Sequence, residues 1–348
     1  MGARMGANDA DKRRIQMVDI ARLAGVSTST VSRALNGSTL INEETRKRIS
    51  ELAQSLNYSI NQSAKNLRLG ENRTIGVVIP FDSKTRQHVS DPFFLGMLGS
   101  LADALTDQNY DLLLSRVDSE RLNDLAGLYD TGRACGIIVI GQWGHHDQLN
   151  ELALRRVPFV VWGAQLPHQL YCSVGSDNVN GGMMATEHLL ALGRKHIAFL
   201  GDTTLPESAQ RYEGYVQAHR KRGIAIDPRL HVPSAFTAAE AQAAMQNFLK
   251  QGVVCDGLFA ASDLIAMNAM GVLTAHGFEV PKDVSVVGYD DVEVAAHCHP
   301  PLTTVRQPID MAGAVMIECL LAKLQNQSVE SRILPTSLQI RASTCALS

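Results

Sequence analysis

Residues 18–37 read VDIARLAGVSTSTVSRALNG, and their spacing predicts two short helices around a tight turn. Ile20, Leu23 and Ala24 recur at i, i+3 and i+4, and Gly25 then supplies the unhindered backbone that a sharp turn needs. Ser27 is placed to cap the second helix. Over residues 28–36, at about 100° per residue, Val31, Ala34 and Leu35 fall on one side. Thr28, Ser29, Ser32, Arg33 and Asn36 fill a contiguous opposite arc. One arc packs; the other is free to enter a groove of the size of the DNA major groove.

A third helix follows, with Asn42 as cap, Glu43 and Glu44 against the positive helix end, and Ile49, Leu52, Ala53 and Leu56 as an apolar stripe. Three helices close a small core, but such shapes recur in proteins that never meet DNA, so geometry alone leaves a structural hairpin open. Charge discriminates. The 348-residue chain carries −3 overall, with 32 Lys and Arg against 35 Asp and Glu. Residues 1–73 hold 12 of the basic and 7 of the acidic residues, leaving 20 and 28 for the remainder. A basic head on an acidic body fits phosphate contact at one end only.

From residue 74 onward, β-branched apolar runs alternate with longer helical patterns. The runs are TIGVVIP from Thr74, DLLLSRV from Asp111, GIIVIG from Gly136, VPFVVWG from Val157, IAFLG from Ile197, GLFAASD from Gly257 and VSVVGYD from Val284. That alternation predicts parallel sheet with crossover helices. So many units exceed one compact open sheet, so the expected fold is an all-α head plus an α/β body of two doubly wound parallel-sheet lobes. A ligand would sit between the lobes, outside the carboxyl ends of the strands.

A composition of 45% hydrophobic and 19% charged residues is that of a soluble globular protein. Residues 1–16 lack an apolar run of signal-peptide length, and no stretch approaches the roughly 18 apolar residues of a membrane span. A cytoplasmic location without a membrane partner is expected. Six scattered cysteines without a CxxC pair predict reduced thiols. His297, Cys298 and His299 resemble metal ligands, but neighbours on an extended chain point to opposite faces. His145, His146 and Asp147 fare no better, so neither metal nor cofactor is expected. The glycine-containing stretch from Gly175 lacks GxGxxG, and no P-loop, GxSxG, HExxH or kinase pattern is present. No catalytic residue emerges, and an enzyme is not expected.

Six ordered strings carry a resemblance: DIARLAGVSTSTVSRALNG from Asp19, NEETRKRISELAQSLNY from Asn42, NQSAKNLR from Asn61, HLLALGRKHIAFLG from His188, VSVVGYDD from Val284 and PPLTTVRQP from Pro300. Across nearly its whole length the chain resembles the lactose-repressor and galactose-repressor family of bacterial transcription regulators. The resemblance implies a helix-turn-helix head over residues 17–59 and a hinge helix or linker over 60–73. It also implies an effector-binding and dimerisation body over 74–348, like periplasmic sugar-binding proteins. The N-terminal lobe would take about residues 74–175 and 306–335, and the C-terminal lobe about 176–305 and 336–348.

Carried over by position, Thr28 and Ser29 read the groove with Ser32 and Arg33 behind them, while Ser27, Thr30 and Asn36 cap or touch phosphate. Asn61, also expected to contact DNA, lies in the hinge segment, which has too few apolar residues to bury a lone helix and is expected to be disordered without DNA. Leu67 stands where the family places a minor-groove wedge; the alternative is a linker residue packed on its own body. Ile60 stands where many relatives have proline. For the effector, the resemblance points to Arg211, Ser262, Asp263, Asp290 and Gln307 as polar contacts. The alternatives are an inter-lobe salt bridge for Arg211 and Asp290, a helix cap for Asp263 and a hinge position for Gln307. Phe93, Trp162 and Phe236 are expected in the pocket wall, and Phe94 is expected to point inward.

The function so implied is a ligand-controlled repressor that binds a near-palindromic operator in double-stranded DNA as a homodimer and is released by a sugar, a glucoside or disaccharide. A last residue at Ser348 without a leucine heptad tail predicts a dimer rather than a tetramer. The alternatives are a sugar-binding transport protein and a regulator with a non-sugar corepressor.

Overall fold

The computed structural model describes residues 16–35, 38, 40–56, 72–83 and 87–346, and the chain divides into two units, Met1–Asn72 and Arg73–Ser348. In the first, α1 (Met17–Ala24), α2 (Thr28–Leu35) and α3 (Glu43–Ser55) close around Ile20, Ala21, Val31, Ala34, Ile49 and Ala53. Gly25 ends α1 at φ 66°, a left-handed conformation that costs a residue without Cβ little. Ser27 Oγ accepts the Thr30 N–H at 3.1 Å, and Asn42 Oδ1 accepts that of Thr45 at 2.8 Å, so both expected caps form. Leu23 departs from expectation: it is 58% exposed, and Ala21 takes the inward place. α1 has only eight residues, so the partners it packs on set its phase, not the i, i+3 spacing of its own apolar residues. Asn36, Asn61, Leu67 and most of the expected hinge, residues 60–71, lie outside the described residues.

The second unit runs β1 (Thr74–Phe81), α4 (Pro92–Asp107), β2 (Asp111–Asp118), α5 (Ala126–Asp130), β3 (Gly136–Ile140), α6 (His146–Leu154), β4 (Phe159–Trp162), β5 (Cys172–Ser176) and α7 (Asn178–Ala191). It continues with β6 (Ile197–Leu200), α8 (Pro206–Lys221), β7 (His231–Val232), α9 (Ala238–Lys250), β8 (Gly257–Ala260) and α10 (Asp263–Ala275). β9 (Ser285–Asp290), β10 (Thr303–Arg306), α11 (Ile309–Leu324), β11 (Arg332–Leu334) and β12 (Ser337–Gln339) complete it. Two six-stranded sheets result, in the orders β11-β5-β4-β3-β1-β2 and β12-β10-β9-β8-β6-β7. Every strand pair is parallel except β10 with β12.

Each quoted apolar run overlaps one of the strands, and both sheets are doubly wound as expected. Ile75, Val77, Met97, Leu101, Met316 and Leu320 pack between one face of the first sheet and α4 and α11. Val78, Ile137, Leu149 and Leu152 pack on its other face. The second lobe is organised about Phe199, Tyr215, Phe259 and Tyr289. The chain passes between the sheets three times, after β5, after β10 and after β11. α7 and α8 lie unusually close because Gly182 and Gly214 face the partner helix: a Cβ at Gly214 would collide with the Val179 carbonyl, and one at Gly182 with that of Arg211. This contact sets where Arg211 stands. No helix among the described residues is long and apolar enough to cross a membrane.

Candidate functional site

The carboxyl ends of the two sheets face each other across a cleft with about 690 Å³ of space free of atoms, its mouth included. Such crevices are where open parallel sheets bind ligands, because the strand ends and helix N-termini that meet there present unpaired backbone groups. Ile140 and Gly141 come from the end of β3, Trp162 from β4 and Asp290 from β9. Asp91, Phe93 and Phe94 start α4, while Glu207, Ser208 and Arg211 lie on the first turns of α8. Ser262 caps α10, with its Oγ 3.2 Å from the Ile265 nitrogen.

Arg211 is buried, and its position is over-determined. Its Nε donates to Asn178 Oδ1 at 2.9 Å, and its Nη1 donates to the Ala261 carbonyl. The guanidinium carbon lies 3.8 Å from the Tyr289 ring centroid, a cation–π contact, and Nη1 is 3.9 Å from Asp290 Oδ1. Asp290 is held at φ 117°, outside the regions an L residue favours. Its Oδ1 accepts Gln307 Nε2 at 2.6 Å, and Gln307 Oε1 in turn accepts the Ser176 hydroxyl. Gln307 thus ties the end of β9 to two of the three crossovers. Burial raises the Asp290 carboxyl to about 7; Arg211 opposes the rise and Asp91 adds to it. Burial also raises Asp91 and Glu207.

Of the expected effector residues, Phe93, Trp162, Arg211, Phe236, Ser262, Asp290 and Gln307 all line this cleft. Asp263 does not, and that expectation is corrected. It is fully buried at the start of α10, where its carboxylate accepts the Thr304 hydroxyl and, at 2.9 Å, the Val292 N–H. These bonds stitch α10 to β10 and to the segment after β9, so the carboxylate is used up inside the lobe. Burial, then Asp290, push it well above the usual range. Phe94 both packs in the core of its lobe and lines the cleft. Sequence reasoning missed Gln87, Asp91, Trp143, Glu207 and Ser208. The one available signal was that helix N-terminal turns following strands gather at such a crevice.

On the head, Ser27, Thr28, Ser29 and Arg33 are exposed, whereas Thr30 and Ser32 are half-buried. Ser27 Oγ lies 2.7 Å from Ser29 Oγ and 2.9 Å from Thr30 Oγ1, so it organises the start of α2 and is its cap. Ser27→Ala is expected to destabilise α2 by about 1 kcal/mol. Faster hydrogen exchange at the first amides of α2, with the body unchanged, is the measurement; unchanged exchange would count against the cap.

Residues 16–61 match the model of bacterial regulatory proteins of the lacI family, and residues 186–344 match that of the periplasmic binding protein-like domain. The helix-turn-helix-type transcriptional regulator CelR of Thermobifida fusca is 31% identical over 338 residues, spanning 95% of this chain and 99% of that protein. Among solved structures, a transcriptional regulator CelR–cellobiose complex is similar at a TM-score of 0.70 and 30% identity, with 95% of this chain and 100% of that one covered. The lac repressor dimer bound to operator and an anti-inducer is similar at 0.84 and 25% identity, with 96% and 100% covered.

Proposed function

The chain belongs to the lacI family of bacterial regulatory proteins, and from that premise we propose a repressor that holds operator DNA as a homodimer until a sugar occupies the cleft between its lobes. Thr28, Ser29, Ser32 and Arg33 read bases, and Ser27, Thr30 and Asn36 position the head on phosphates. Residues 60–73, with Asn61 and Leu67, form the hinge between a head over 17–59 and a body over 74–348. The repressor works in the cytoplasm, where its operator is, and the effector is bound without being transformed.

What carries the sugar reading is the pairing of flat rings with acceptors in one cleft. Phe93, Trp143, Trp162 and Phe236 offer apolar planes, and Asp91, Glu207, Asp290 and Gln307 offer oxygens to hydroxyl groups. A similar regulator, matched over its whole chain, is solved with cellobiose, which puts glucosides and disaccharides first. A sugar that binds the closed lobes better than the open ones shifts the population; moving it from 1:99 to 99:1 takes about 5.5 kcal/mol of differential affinity. Two sites in a dimer divide that requirement.

Both tryptophans of the chain, Trp143 and Trp162, line the cleft, so their emission reports its occupancy. Titration with mono- and disaccharides is expected to change that emission, raise the melting temperature and release operator DNA. At 100 times its dissociation constant a ligand adds about 2.7 kcal/mol to the folded state. The sugar should be recovered unchanged, and operator affinity should fall steeply with salt. A purine or nucleoside that produces these responses while no sugar does would replace this reading with that of a non-sugar effector.

A further inference from the structure

We infer that the cleft is built for an uncharged polyhydroxylated ligand and turns away phosphorylated sugars and sugar acids, with Glu207 as the specificity-determining residue. The inference deepens the effector reading above and rests on it. The N-terminus of α8 opens on the cleft, and a helix N-terminus ordinarily attracts anions. Here that place is taken. Glu207 lies in that first turn and lines the cleft; burial raises its carboxyl, while its own backbone N–H and that of Gln142, which follows β3 in the opposite lobe, lower it.

Nor does the cleft offer an open guanidinium fork to a phosphate. Arg211 is the only cation among the described residues lining the cleft, and its Nε and Nη1 are bonded to Asn178 and Ala261 while its face lies on Tyr289. Phosphate is best held by an open guanidinium fork. Around Arg211 stand three carboxylates, Asp91, Glu207 and Asp290. Burial already opposes the charge on each, and a further anion among them adds to that cost in a weakly screened space. A hydroxyl, by contrast, can donate to a carboxylate. Ser208 points to the same chemistry: it is only 1% exposed, lines the cleft, and its Oγ has no hydrogen-bond partner in the protein. Buried hydroxyls are rarely left so, and a ligand hydroxyl would satisfy it.

The test follows tryptophan emission of the full chain titrated with inorganic phosphate, glucose 6-phosphate and a panel of neutral sugars. Wild-type protein is expected to respond to a neutral sugar and to stay silent with both phosphates. Glu207→Gln, which keeps the shape and removes the charge, is expected to bind phosphate about tenfold or more tighter than wild type. Asp91→Asn retains a capping oxygen for α4 and is expected to show the same gain, so a folding defect in one variant leaves the other informative. Wild-type protein that binds glucose 6-phosphate as well as any neutral sugar overturns the inference. So does a phosphate response unchanged in both variants. If no sugar of either kind binds, the effector reading itself fails, while the phosphate comparison still decides whether Glu207 filters charge.

Discussion

Arg194→Met is expected to lower the unfolding free energy of the body by about 3 kcal/mol or more, among the largest losses any single substitution in it should cause. Arg194 is 1% exposed and follows α7, and no carboxylate pairs with it in the described structure. Its charge is met by backbone carbonyls instead: Nη1 donates to those of Lys282 and Asp283, each at 3.2 Å, and Nη2 to those of Pro281 at 2.7 Å and Cys345 at 3.3 Å. One side chain therefore fastens the corner before β6, the loop before β9 and the last described segment. Methionine fills much of the volume but leaves those carbonyls without donors, and each buried unsatisfied group costs roughly 1–3 kcal/mol. Lysine restores the charge without the planar fork, so Arg194→Lys should recover only part of the loss. Urea denaturation of the three proteins decides it; a loss below about 1 kcal/mol for Arg194→Met would mean that water replaces the guanidinium at little cost.

Arg194 also marks what a sequence cannot display. The head was legible because its information is local: Gly25, Ser27 and Asn42 act within four residues of themselves, and the polar arc of α2 is a property of one helix. The quoted apolar runs were legible as strands for the same reason. β5 (CSVGS), β7 with its two residues and the short β10, β11 and β12 carry no such run, because they are brief and β7, β11 and β12 lie at sheet edges, β11 and β12 only partly buried. In the cleft, Arg211 and Asp290 were found through family motifs. Glu207, Asp91 and Trp143 lie in no quoted string, and only the meeting of two sheets brings them together. Asp263 failed in the opposite way: its place in the string AASD suggested a ligand contact, whereas the geometry commits it to Thr304 and Val292.

Gln307 shows how the cleft couples to lobe movement within the body. It follows β10 at a crossover, donates to Asp290 in the site and accepts from Ser176 at the end of β5, beside another crossover. A ligand that draws Asp290 towards itself therefore pulls on the segments about which the lobes turn. The two lobes need no further wiring, since both ends of this short chain of bonds are buried and shielded from water.

Asp290→Asn is expected to make the unliganded protein more stable at neutral pH and to weaken sugar binding by about 10- to 100-fold, the worth of a hydrogen bond to a charged group. Asparagine keeps the shape of the aspartate at this positive-φ position, so the substitution removes the charge without truncating the side chain, as alanine would. In the folded protein the Asp290 carboxyl sits at about 7, above its ordinary 3.8, so the fold prefers it protonated. Below pH 4 the folded and unfolded chains both carry the proton, and the group costs nothing. Between about 4 and 7 the unfolded chain has released the proton while the folded chain still holds it, so stability falls as pH rises. Above 7 the folded carboxylate is charged and the penalty is complete. The melting temperature of Asp290→Asn relative to wild type should therefore climb from pH 4 to 7 and then level off. The gain stays below the full worth of the shift, because Arg211 loses its counter-charge 3.9 Å away. A difference that is flat across this range would remove the buried-charge account, and unaltered sugar affinity would remove Asp290 from the site. If both hold, the protein keeps a carboxylate that weakens its own fold because only the charged, hydrogen-bond-accepting form binds the effector well.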